Sequence, residues 1–125
     1  IMNVIYPKFS QDNKVDPNDL SHIKQVGLDY SNDSLTHNRI TAGLFKSFHA
    51  SGLWAIENAA TLSTPTFLVH GADDIITGAQ GSEAFSKAAG DIATLRIYEN
   101  TKHELHNDNV AKEMLSEISE WFKNI

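Results

Sequence analysis

Apolar positions along this chain alternate between helical and extended spacing, and each change predicts an element. The clearest helix runs from Asn107 to Asn124. There Val110, Met114, Leu115, Ile118, Trp121 and Phe122 recur at i, i+4, i+5, i+8, i+11 and i+12. Upstream of it Thr94–Tyr98 reads as a strand, and Gly78 to Ala89 as a helix closed by Gly90. Thr64-Pro65 stops a preceding helix and opens a near-continuous β-prone run, Thr66–His70. Such a run predicts a strand buried on both faces of a parallel sheet. From His37 to about Leu62 the spacing is helical, with Ile40, Leu44 and Phe48 on one stripe that Phe45 and Leu53 widen. Packing against a core or a cap is the expected role of that stripe, and Gly52 suggests a break near Ser51. Asp16-Pro17-Asn18-Asp19 reads as the start of a short helix that reaches about Val26 and ends at Gly27. Ser31–Ser34 reads as a loop, and residues 1–16 as a mixed polar stretch with Pro7 and no sustained period.

Strand, helix, strand, helix from residue 65 onward is a βαβ unit, whose crossover is right-handed. The fold class is therefore α/β. Ligand sites in such sheets lie at the carboxyl ends of the strands. Asp73-Asp74 follows the first strand and His103 follows the second, so two separate turns bring an acid and an imidazole to one edge.

Composition narrows the functions. With 10 basic against 16 acidic residues the net charge is −6 and no basic cluster occurs, which argues against nucleic acid and anionic membrane surfaces. No apolar run is long enough for a transmembrane helix. Cysteine is absent, which removes disulfides, thiol nucleophiles and thiolate zinc sites and fits a cytoplasmic setting. The chain opens Ile1-Met2-Asn3-Val4, without a start Met or a signal peptide, and reads as a piece of something longer.

An acid after one strand and a histidine after the next are the last two members of a Ser…Asp…His series. The first member, a Ser in G-x-S-x-G, does not occur in these 125 residues. Ser82 in Gly81-Ser82-Glu83 and Ser51 in Ala50-Ser51-Gly52 lack glycines at −2 and +2, so neither reads as the nucleophile. Asp73 reads as a turn former beside Asp74. His103-x-x-His106 falls one residue short of the H-E-x-x-H metal pattern, so no metal or other cofactor is expected. His70 reads as a strand-end core histidine or a neighbour of the site, and His22, His37 and His49 as surface or helix-face residues. Ile75, Ile76 and Leu105 flank the acid and base and are candidates for lining a substrate pocket, although core packing is the more frequent fate of such residues.

The segments His70-Gly71-Ala72-Asp73-Asp74 and Tyr98-Glu99 with His103-Glu104-Leu105 resemble the monoacylglycerol lipase and lysophospholipase branch of the α/β-hydrolases, also grouped with serine aminopeptidase-like hydrolases. Asn32-Asp33-Ser34-Leu35-Thr36-His37, with Arg39-Ile40-Thr41 after it, adds to the resemblance, which covers most of residues 29–125. It implies the C-terminal portion of an α/β-hydrolase: two parallel strands with flanking helices, preceded by part of a helical cap. Residues 1–36 would belong to the cap and 37–125 to the core. The family pattern of Gly, two residues and the catalytic Asp falls on Asp74, and the catalytic His on His103. The implied chemistry is acyl transfer to a serine, with His103 as base and Asp74 orienting it. The nucleophile and oxyanion donors would lie in a missing N-terminal half, leaving this chain inactive by itself. A monoacylglycerol, a lysophospholipid or another small acyl ester is the implied substrate, with amide and thioester substrates as alternatives.

Two other functions compete. An acidic phosphoacceptor module also carries an Asp pair after a strand, but too little chain follows Asp74 for its later phosphorylated Asp and its Lys. A non-catalytic binding or assembly role is the other, because a half-sheet with an open edge and an uncovered apolar face should dimerise or seek its missing half.

Overall fold

The computed structural model describes Tyr6 and residues 8–125. Much of the expectation for residues 1–16, Pro7 included, lies outside these described residues. Two strands that the spacing did not predict, β1 (Ser10–Asp12) and β2 (Arg39–Thr41), form a small antiparallel ladder with Gln11 opposite Ile40. The Arg39 guanidinium reaches the Ser10 hydroxyl and carbonyl across it. Each strand is three residues long, too short for a period to register.

Asp16 caps as its sequence suggests, its carboxylate accepting from the Asn18 N–H at 2.9 Å with Pro17 in the first position. The product is a 3₁₀ turn, Pro17–Asp19, and not a helix to Val26. The helix forms later, as α1 (Lys24–Asn32), and contains Gly27 and part of the expected Ser31–Ser34 loop. Gly27 is in the helix for its small size: a Cβ there would stand 2.7 Å from the Pro17 carbonyl oxygen. The expectation that it terminates a helix is corrected by that tight packing.

Helix α2 (Ala42–Glu57) is capped by the Thr41 hydroxyl, which accepts from the Leu44 N–H at 3.1 Å. It starts later and ends earlier than its spacing suggested, and it runs unbroken through Gly52. None of its residues is buried, and Leu44, Phe45, Phe48, Leu53 and Trp54 are all more than half exposed. The Ile40, Leu44 and Phe48 stripe is therefore not core within this chain.

The sheet that carries the site has two parallel strands, β3 (Thr66–Gly71) and β4 (Ala93–Tyr98), with Leu68 opposite Leu95 and His70 opposite Ile97. Between them runs α3 (Gln80–Ala89), ended by Gly90 at φ +70°, where glycine avoids the Cβ penalty. α4 (Ala111–Lys123) starts four residues later than expected, because Leu105–Asn107 forms a separate 3₁₀ turn. Alternation along β3 divides its side chains. Phe67 stacks on Trp121 of α4 at 5.7 Å, and Val69 packs on the core of Tyr98, Leu105 and Met114. Leu68 and His70 face the other way, toward α2 and α3. The expected burial of β3 on both faces is realised only in part, since Thr66–His70 remain half-buried. Among the described residues no helix is long and apolar enough to cross a membrane.

Two glycines test this packing in opposite senses. Gly52→Ala meets nothing within 4 Å and should stabilise the chain by about 0.5–1 kcal/mol through helix propensity. Gly71→Ala would place its Cβ on the Thr101 and Lys102 carbonyl oxygens and should destabilise by about 3 kcal/mol or prevent folding. Urea titrations of both variants read the difference.

Candidate active site

β3 ends at Gly71, and the chain turns through Ala72-Asp73-Asp74 directly beneath the loop that follows β4. Two backbone bonds join the two segments: the Ala72 N–H donates to the Tyr98 carbonyl (2.9 Å) and the Asp73 N–H to Thr101 (2.9 Å), while the Asp74 N–H turns back to Gly71 (3.3 Å). On the partner loop Asn100 adopts φ +50°, a left-handed conformation that Asn tolerates, and Thr101 is completely buried. This contact between loops brings Asp74 and His103 together.

The Asp74 side chain is 2% exposed. Its Oδ1 accepts the N–H groups of Ile76 (2.8 Å) and Thr77 (3.0 Å), a local turn that fixes the carboxylate plane. Its Oδ2 accepts from the Thr77 hydroxyl at 2.7 Å and from His103 Nδ1 at 2.9 Å. Burial alone would raise this carboxyl, but the bonds from His103, Thr77 and Ile76 outweigh it and hold Asp74 well below the usual carboxylate range. An ionised Asp74 requires the Nδ1–H tautomer of His103. In the neutral form of that one-third exposed ring Nε2 carries the lone pair, and it has no hydrogen-bond partner among the described residues. The arrangement is a carboxylate, an oriented imidazole and a free basic nitrogen at the carboxyl edge of the sheet.

Of the residues singled out from sequence, Asp74 and His103 are brought together and Asp73 is not. Asp73 is exposed, with its carboxylate 4.0 Å from His22 Nε2. Ile75 is three-quarters exposed and Ile76 half-buried beside Asp74. Leu105 is turned into the core with Tyr98 and Met114, where a buried apolar side chain contributes about 1.5–3 kcal/mol. The main cavity, 710 Å³, is lined instead by Phe48, Leu53 and Ile56 of α2, Leu68 and His70 of β3, and Phe85 of α3.

Sequence reasoning missed the support behind His103. Asp108 has a fully buried carboxylate whose Oδ2 accepts from the N–H groups of His22 and Lys102 and from His22 Nδ1, each at 3.2 Å. Its Oδ1 accepts from Asn109 N–H at 2.7 Å. Burial by itself would raise Asp108, but those N–H groups of Asn109, Lys102 and His22 pull it below its ordinary value. Around it the Ser21 hydroxyl donates to the Asn107 carbonyl, Glu104 N–H to Leu20, and the Lys102 ammonium to Asn18. Residues 18–22 thus hold the backbone after His103 at Glu104 and Asn107, and the Lys102 side chain before it. His22 reads as a surface or helix-face residue and is exposed, but no local signal marks a partner 86 positions away. Thr77 could have been noticed from its spacing, three residues after Asp74.

Comparison with known proteins identifies the class. Residues 1–110 match the serine aminopeptidase, S33, family, and the chain belongs to that family of hydrolases. It is 28% identical over 127 residues to the monoglyceride lipase homolog of Monkeypox virus, covering 99% of this chain and 46% of that protein. An uncharacterized abhydrolase domain-containing protein of Dictyostelium discoideum is 32% identical over 98% of this chain, which spans 13% of its length. The crystal structure of Paleococcus ferrophilus monoacylglycerol lipase superposes with a TM-score of 0.90 at 29% identity, covering 96% of this chain and 48% of that one. The chain has the fold of a C-terminal part of a monoacylglycerol lipase-like α/β-hydrolase, and spans about half or less of these relatives.

The two buried carboxylates set the acid stability. Each has a folded value below its unfolded one, so its contribution is complete above about pH 4 and is lost as the pH falls through the folded values. Thermal unfolding midpoints should be flat above about pH 5 and decline below about pH 4. Asp108→Asn, which turns an amide toward N–H donors, should cost about 1–3 kcal/mol at neutral pH and flatten the acid decline. Calorimetry between pH 2 and 7 checks both.

Proposed function

We propose that this chain carries the acid and base of a serine carboxylic-ester hydrolase, with a monoacylglycerol, a lysophospholipid or another small acyl ester as substrate. The observation that carries the reading is the 2.9 Å bond from His103 Nδ1 to the buried Asp74 carboxylate, which leaves Nε2 free on the sheet edge. In this reading Nε2 takes the proton of a serine hydroxyl as the oxygen attacks the ester carbonyl, then returns it to the departing alcohol. Asp74 keeps the ring in the required tautomer and stabilises the imidazolium that forms. Water repeats the cycle on the acyl-serine.

The serine and its oxyanion donors are assigned to the half of the family fold that this chain does not span. Support comes from α2, whose Leu44, Phe45, Phe48, Leu53 and Trp54 are all more than half exposed, an apolar surface of the kind a larger protein covers. The 710 Å³ cavity beneath it and the free edge of β3 are where that half would pack. Residues 1–36 are assigned to the cap and 37–125 to the core. Ile75 and Ile76 are assigned to the acyl-binding surface, and Leu105 to the floor beneath the base. A second copy could cover the same apolar face, and chromatographic mass distinguishes a homodimer from a heterologous assembly.

A fluorophosphonate probe applied to the source preparation, followed by intact-mass analysis, tests the assignment. The label should fall on a larger or companion species and not on these 125 residues. Label on this chain would mean that it holds its own activated serine. In the active assembly His103→Ala should lower kcat about 10⁴-fold or more. An esterase rate unchanged by that substitution would end the acid–base reading.

A further inference from the structure

A second imidazole approaches Asp74. His70 is the penultimate residue of β3, and its side chain is 13% exposed. Its Nδ1 lies 2.8 Å from the hydroxyl of Ser82, in the first turn of α3. Its Nε2 lies 3.0 Å from Asp74 Oδ2, the same oxygen that His103 and Thr77 use. That Nε2 is buried and makes no directed hydrogen bond among the described residues, so the contact is close but not aligned. From the other elements packed around the ring, Ile97 of β4 and Phe85 and Ile56 of the cavity wall are apolar, and His49 of α2 is the further titratable group on that cavity.

The tautomer follows from charge. With the proton on Nδ1, His70 would donate to Ser82 and turn the Nε2 lone pair toward a carboxylate. With the proton on Nε2, Nδ1 accepts the Ser82 O–H and the positive N–H lies 3.0 Å from Oδ2, a favourable electrostatic contact though not an aligned hydrogen bond. Only the second arrangement is attractive at both ends. We propose that Ser82 and His70 are positioning residues: the Ser82 hydroxyl selects the Nε2–H tautomer of His70, and that N–H steadies Asp74 for His103. Four side chains then form one line, Ser82, His70, Asp74 and His103, with the carboxylate shared between two imidazoles. No proton is transferred along it; each group fixes the orientation of the next. The relay deepens the acid–base reading above and rests on it for its purpose, but its geometry is measurable without catalysis.

Long-range ¹H–¹⁵N spectra of the labelled 125-residue chain report the His70 tautomer directly, and the low-field His103 Nδ1 proton reports its bond to ionised Asp74. The wild type should show His70 protonated on Nε2 alone. Ser82→Ala should give a mixture of both tautomers. His70→Phe should make the low-field His103 signal disappear at a higher pH, because Asp74 then takes up its proton more easily. His70→Gln, which restores an N–H at that reach, should return the signal to wild-type behaviour, whereas a purely packing role would favour Phe over Gln. Wild-type His70 protonated on Nδ1, or a His103 signal with the same pH dependence in all variants, overturns the relay. If His70→Phe does not fold, the wild-type tautomer and Ser82→Ala decide the matter alone. Loss of the relay would leave the hydrolase reading intact, and loss of the hydrolase reading through an active His103→Ala assembly would leave the tautomer result intact.

Discussion

At the end of β3 the Thr101 and Lys102 carbonyl oxygens occupy the space where a side chain at position 71 would begin. That close approach lets the loop after β4 lie directly on the turn after β3. The Asp73 N–H to Thr101 bond and the complete burial of Thr101 follow from it, and so does the 2.9 Å separation of Asp74 and His103. A larger residue at 71 would lift one loop from the other, and a displacement of about 1 Å is enough to impair a proton-transfer pair. The glycine is thus a condition of the site, although it contributes no functional group.

Around His103 the structure uses buried carboxylates as fixed points. Asp74 holds the ring, and Asp108 holds the backbone through Lys102 and ties in His22. Both charges are deeply buried, and each is stabilised chiefly by directed N–H groups, the kind of satisfaction that makes buried charge tolerable. The base is therefore positioned by both carboxylates. Residues 18–22, which pack against the Asp108 side, come from the part of the chain assigned to the cap. Any movement of that segment would be felt at His103 through Leu20 and Asp108.

The apolar surface is distributed unevenly. On the α4 side of the sheet Tyr98, Leu105 and Met114 are buried, with Val69 and Ile118 packed on them. On the α2 side nothing comparable closes, and Phe48, Leu53 and Trp54 remain exposed beside an open cavity. On that side α3 packs on both strands of the sheet, yet the apolar side chains of α2 stay open to solvent. The relatives that this chain matches are longer, and the chain spans 46% of one and 48% of the other.

Local information was enough for β3, α3, β4 and α4, for the Asp16 and Gly90 punctuation, and for placing the Asp73-Asp74 pair and His103 after two successive strands on one edge. Each of these depends on periodicity or turn chemistry within about a dozen residues, whereas the choice of Asp74 over Asp73 rested on the family resemblance. The three-residue strands β1 and β2 carry too few positions to show a period, and Gly27 was read as a helix stop because its reason for being glycine is the Pro17 carbonyl packed against it. The helical stripe of α2 was visible, but whether it is buried depends on what lies against it. The same holds for His22 with Asp108 and for His70 with Ser82 and Asp74. Their residue types were plain in the sequence, but their partners, tautomers and charge states arise only when separate loops close on one another. Periodicity and turn chemistry are properties of neighbouring residues, whereas burial and hydrogen-bond partnership are properties of the assembled fold.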